Sequence, residues 1–128
     1  MTREFLSQII VKRKTFLDGL DKMIENIIKV ASARLKVEMY YTNAYVIIDA
    51  LIGIDEDLAG GYRNSKKELQ EEKACLIGLR DQITNLRSYA KHSDVTDPAF
   101  FRLVNALNAK FSELLKINSK VNNVLRIR

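Results

Sequence analysis

Ser65-Lys66-Lys67-Glu68-Leu69, continued by Leu76, Leu79, Ile83, Leu86 and Ala90 and closed by Lys91-His92, is the stretch whose reading decides the fold. Ser65 followed three residues later by Glu68 is a capping box, in which a hydroxyl and a carboxylate each satisfy an orphan backbone N–H at a helix start. The apolar residues after it recur at threes and fours, which lines them up along one side of a helix. Lys91 and His92 fall where cations suit the negative end of the helix dipole. The pattern predicts a helix over 65–91, with Gly78 inside it at a cost of about 1 kcal/mol relative to Ala.

The next signal is Asp97-Pro98. Asp is a good N-cap, and Pro suits the first helical position because its missing N–H has no partner there to lose. Phe100, Val104, Leu107, Phe111, Leu114, Val121 and Leu125 then form a second apolar stripe, widened by Leu103, Ile117 and Val124. A helix over 98–125, joined to the previous one by about six residues, predicts an antiparallel hairpin.

The first half is less sharply punctuated. Leu6, Ile9, Phe16, Leu20, Met23, Ile27 and Val30 keep a coiled-coil-like seven-residue repeat, broken only by Arg13. From Val37 to Ile52 the chain turns apolar on nearly every side, as in a helix buried on most faces. A strand over 45–48 is the competing reading, and the lack of a visible partner strand argues against it. Gly53, Gly60 and Gly61 around Asp55, Glu56 and Asp57 are read as a loop ending this helix near residue 54. Nothing marks a turn between residues 28 and 37. A reversal near Ser32 gives four helices; its absence gives one helix of about 75 Å that would overhang the hairpin and need a second chain to cover it. We favour the first, and so expect an all-α antiparallel bundle of three to four long helices, about 3–30, 33–54, 65–91 and 98–125, in a single domain over 1–128.

Composition agrees. Glycine and proline together number six in 128 residues, too few for the many tight turns of a sandwich or barrel. One Cys excludes an internal disulfide, and one His leaves too few soft ligands for a zinc cage. No cofactor or metal is expected. The N-terminal stretch, with Glu4 and the Lys12-Arg13-Lys14 cluster, does not read as a signal peptide. The most apolar run, 44–54, is about half a membrane span and contains Asp49. A cytoplasmic protein with no membrane contact is the expectation.

Three functional readings follow. The first is a non-enzymatic module acting by protein–protein association, as a self-assembling component or an adaptor. Tyr40, Tyr41, Tyr45, Ile47 and Phe101 are its candidate interface anchors. The second starts from the net charge of +5. In an up-down-up-down bundle Lys12, Arg13, Lys14, Arg63, Lys66, Lys67, Arg126 and Arg128 gather at one end, a candidate surface for nucleic-acid phosphates. Asp55, Glu56, Asp57 and Glu68 fall at the same end and cancel half of that charge.

The third rests on Arg87-Ser88-Tyr89-Ala90-Lys91-His92, an Arg and a His separated by four residues. This resembles the R-x4-6-H motif of HEPN-type ribonucleases, small helical bundles that often dimerise to bring two such motifs together. The resemblance covers six residues and implies that Arg87 and His92 act on an RNA phosphate, leaving a cyclic phosphate. That family often has Asn, Asp or His directly after the Arg, where this chain has Ser88. On a continuous helix five residues turn by about 140°, which sets the two side chains on different faces. The competing reading of the same residues is a charged helix C-terminus. Asp49, alone in its apolar run, reads either as an acid of raised pKa or a ligand for a bound cation, or as a partly buried residue paired to an arginine or facing the one wet edge of its helix. Cys75, with no His or second Cys near it in sequence, reads as a small buried hydrophobe.

Overall fold

The computed structural model describes residues 3–33, 38–62, 65–92 and 97–126, apart from the side chains of Arg3 and His92. Four helices follow one another: α1 Arg3–Ser32, α2 Glu38–Gly61, α3 Lys66–His92 and α4 Pro98–Arg126. No strand occurs among the described residues.

Each helix runs antiparallel to the one before it. Arg13 of α1 meets Asp55 of α2, and six residues further on Gly19 faces Ile47, whose Cδ1 lies 3.7 Å from the position a Cβ would take. Between α2 and α3 the pairs are Glu56 with Lys73, Asp49 with Arg80 and Glu38 with Arg87. Between α3 and α4, Glu72 is bonded by Asn118 at one level and Tyr89 stacks near Phe100 at another. The neighbours α1–α2, α2–α3 and α3–α4 pack closely, whereas α1 approaches α3 and α4 much more sparingly. The reversal between α1 and α2 settles the choice between four helices and one very long one. The stretch 34–37 itself lies outside the described residues.

The expected stripes form one shared core. Leu76, Leu79, Ile83 and Leu86 of α3 are fully buried against Leu107, Leu114, Val121 and Leu125 of α4. Leu20 and Ile27 of α1 and Ile48, Leu51 and Leu58 of α2 close it from the other side. Each such side chain contributes about 1.5–3 kcal/mol through removal from water. At the head of α4, Asp97 caps the helix as expected: the Ala99 N–H donates to its Oδ1 at 2.9 Å.

Two local expectations are corrected. The second helix does not stop near residue 54; it continues through Gly53 and the three acidic residues to Gly61. Burial of Leu58 and the internal partner of Asp55 outweigh the propensity cost of the glycines. The capping box before α3 is not closed. Ser65 begins the helical turn and its N–H donates to the Tyr62 carbonyl at 3.0 Å, but its hydroxyl and Glu68 Oε2 are buried without hydrogen-bond partners.

Candidate functional site

Two features rise above the ordinary packing of a bundle: a charged layer inside it and an uncharged face outside it. The inner layer begins at the residue that breaks the seven-residue repeat. Leu6, Arg13, Leu20 and Ile27 form one row of α1, and all four are buried, Arg13 completely so. A guanidinium in that row needs partners, because an unpaired interior charge is prohibitive. The three other helices supply them. Arg13 Nη2 donates to Glu72 of α3 and lies 3.5 Å from Asp55 Oδ1 of α2, and Nη1 donates to Asn122 of α4 at 2.9 Å. Asn118 donates to the other Glu72 oxygen at 3.3 Å, and Asn122 to Asn118 at 3.3 Å. Asp55 and Glu72 are each 1% exposed.

The electrostatics of this layer are uneven. Burial, followed by the charge of Glu72 and a hydrogen bond with it, pushes the Asp55 carboxyl up to about 9, against the lowering influence of Arg13. Arg13 is therefore corrected from a surface phosphate ligand to an interior ion. Of the other residues assigned to the basic end, Lys12, Lys14, Lys66, Lys67 and Arg126 are exposed, and Lys12 lies over the Phe16 ring at 5.9 Å. Arg63 and Arg128 lie outside the described residues. Acidic groups share that pole, with Glu56 paired to Lys73 and Glu71 to Lys120.

The outer feature is the solvent side of α2. Met39, Thr42, Asn43 and Val46, exposed, and Ala50 and Gly53, half-buried, form an uncharged row there, with the exposed Asp49 at its α3 edge paired to Arg80. Met39 is 58% exposed and Val46 63%. Toward α1 this face runs into a seam of half-buried apolar residues, among them Phe16, Met23 and Ile47. It ends in a groove of about 320 Å³ lined by Phe5, Gln8, Ile9, Lys12, Ile54, Asp57 and Leu58.

The expected anchors are distributed differently. Tyr41 is buried in the core under the Arg87 guanidinium, 5.7 Å from its ring, so it is corrected from a docking anchor to a packing residue. Tyr45 is half-buried, carries Arg80 over its ring at 4.9 Å and shares a hydrogen bond with Thr84 at 2.8 Å. Tyr40 and Ile47 are half-buried against the core. Phe101 is exposed on α4, stacked edge-on to Phe100 at 5.9 Å. The exposure of Met39 and Val46 was not legible in the sequence, because outward-facing and inward-facing residues look alike in an all-apolar run.

The Arg87/His92 pairing gains no geometry. Arg87 is engaged by Glu38, which also pairs with Lys91 at 3.2 Å, and α3 continues unbroken to His92. Desolvation raises the Glu38 carboxyl, but hydrogen bonds from Lys91 and Arg87 outweigh it and hold the group below its ordinary range. The His92 side chain lies outside the described residues. Asp49 is exposed and pairs with Arg80 at 3.4 Å. Burial pushes the Cys75 thiol up to about 11, and its Sγ donates to the Lys110 carbonyl at 3.8 Å. Among the described residues no cluster of His, Cys, Asp and Glu is placed to hold a metal, and no helix is long and apolar enough to cross a membrane. No family model matches this chain, and neither a curated protein nor a solved structure does.

Proposed function

We propose that this protein acts by association, as a non-enzymatic helical module whose α1–α2 face docks a second copy of the chain. The observation that carries this reading is the uncharged outer row of α2, with Met39 and Val46 both more than half exposed. An uncharged row with two exposed apolar side chains, beside a seam of half-buried apolar residues, is the kind of surface that protein partners cover. The groove at its end bears one cation, Lys12, and one anion, Asp57, on different helices. A two-fold pairing of the same face can then set Lys12 against the partner subunit's Asp57, the self-complementarity an isologous contact requires. Contact with nucleic-acid phosphates is the weaker reading, since the interior position of Arg13 removes the centre of the basic cluster and acidic residues intersperse the rest.

Light scattering after gel filtration tests the proposal. The wild-type chain should elute as a dimer, and Val46→Lys or Met39→Glu should give a monomer with unchanged helical circular dichroism. A wild-type chain that stays monomeric at several hundred micromolar overturns it. A gel shift with RNA or DNA that weakens steeply as salt rises would transfer the case to the nucleic-acid reading.

A further inference from the structure

Asp55 is the anomaly of the inner layer. Both of its carboxyl oxygens are buried and neither accepts a hydrogen bond, although a guanidinium nitrogen lies 3.5 Å away. Arg13 directs Nη2 to Glu72 and Nη1 to Asn122, and its Nε, also buried, makes no hydrogen bond to Asp55 or to any other group. Were both carboxyls ionised, the layer would hold two anions and one cation away from water, with Asp55 bare among them. A proton resolves this. On Asp55 it turns an unpartnered acceptor into a donor to Glu72, and it leaves one anion facing one cation.

We propose that Asp55 and Glu72 hold one proton between them, and that this protonated layer is a pH-sensitive latch clamping α1 to the rest of the bundle. The charged groups that face Asp55 are few. α1 presents Arg13, and α3 presents Glu72 and, at the rim, Lys73, which pairs with Glu56 beside Asp55 on α2. α4 brings only the amides of Asn118 and Asn122 to the layer. A cavity of about 150 Å³ at the α2–α3 seam, lined by Asp55, Glu56, Ala59, Leu69, Gln70 and Lys73, gives the proton a path to solvent. The layer acts as a latch because α1 lies sparingly against α3 and α4. Among the described residues, Arg13 makes the side-chain hydrogen bonds that join α1 to those two helices.

The sign of the pH response follows from linkage. The folded chain keeps a proton that the unfolded chain releases above the ordinary carboxyl value of 3.8. Stability is therefore fully present below about 4, falls as pH rises, and levels off above about 9. Asp55→Asn keeps the shape, supplies a permanent donor to Glu72 and cannot ionise. Relative to wild type, its unfolding constant should become smaller by about tenfold per pH unit within that window, the signature of one linked proton.

The test compares urea unfolding of wild type and Asp55→Asn from pH 5 to pH 10, alongside a carbon-13 NMR titration of the Asp55 carboxyl in the wild-type chain. The expected results are a widening gap between the two unfolding curves and a carboxyl that titrates far above the ordinary range. Glu72→Gln, which leaves Asp55 as the one carboxylate facing Arg13, should bring that titration back down. Parallel unfolding curves, or an Asp55 carboxyl that titrates near 4 in the wild-type chain, would overturn the proposal. The NMR titration decides the matter even where a variant does not fold.

Discussion

Replacing Arg13 by Met keeps most of the side-chain volume and removes the cation. In the folded chain the guanidinium donates to Glu72 and Asn122 and faces Asp55. Its loss leaves Glu72 at 1% exposure with the Asn118 amide, at 3.3 Å, as its neighbouring side-chain donor. Two hydrogen bonds involving a charged group are each worth about 1.5–3 kcal/mol, and stranding one member of a buried ion pair typically costs about 3–5 kcal/mol. A chain of this size has about 5–15 kcal/mol of stability in all. With a urea m-value near 2 kcal/mol/M, the midpoint should fall by about 2 M. Urea unfolding followed by circular dichroism measures this directly. The companion is Arg13→Met with Asp55→Leu and Glu72→Leu, which removes all three ionisable side chains of the layer. It should recover the loss and exceed wild type by about 1–4 kcal/mol, because desolvating the ions opposes their mutual attraction. A solvent-exposed arginine would lose no more than about 0.5 kcal/mol. An unchanged midpoint for Arg13→Met would therefore refute the interior layer, and a triple variant less stable than the single would refute its energetic account.

Three further outcomes follow from the packing. Asp97→Ala removes the cap on Ala99 N–H and should lower stability by about 0.5–2 kcal/mol, seen as a drop in the thermal midpoint and increased exchange of the first amides of α4. Gly53→Ala should raise stability by about 0.5–1 kcal/mol in chemical denaturation, because the position is helical and nothing lies within 4 Å of the added methyl group. Cys75 should resist alkylation in the native chain at pH 8 and react readily in urea, since burial both shields the thiol and pushes it up to about 11.

How far the sequence could be read depended on whether a residue's neighbours in the chain were also its neighbours in space. The α3–α4 hairpin was legible because Leu76, Leu79, Ile83 and Leu86, and Leu107, Leu114 and Val121, repeat without interruption, and because Asp97-Pro98 marks a helix start by local chemistry alone. The end of α2 was misread for the opposite reason. Gly53 and the acidic run 55–57 look like a loop until Asp55 is seen to face an arginine 42 positions earlier. The layer nevertheless left a trace. Arg13 occupies the row of Leu6, Leu20 and Ile27, and Glu72 sits between Leu69 and Leu76 on the buried side of α3. A cation and an anion each placed on an apolar stripe are a signal of mutual burial, and reading Arg13 with its neighbours Lys12 and Lys14 concealed it. The outer face of α2 was not legible, because apolar residues all round a helix do not say which of them the other three helices cover.

The most direct measurement is nitrogen-15 NMR of the Arg13 side chain in the folded protein at neutral pH. An interior guanidinium predicts resolved, slowly exchanging Nη protons with nuclear Overhauser contacts to the Asn122 side chain and to residues of α2 and α3. A single averaged Arg13 signal, exchanging with water at the rate of a surface arginine, would contradict the buried layer and the latch built on it.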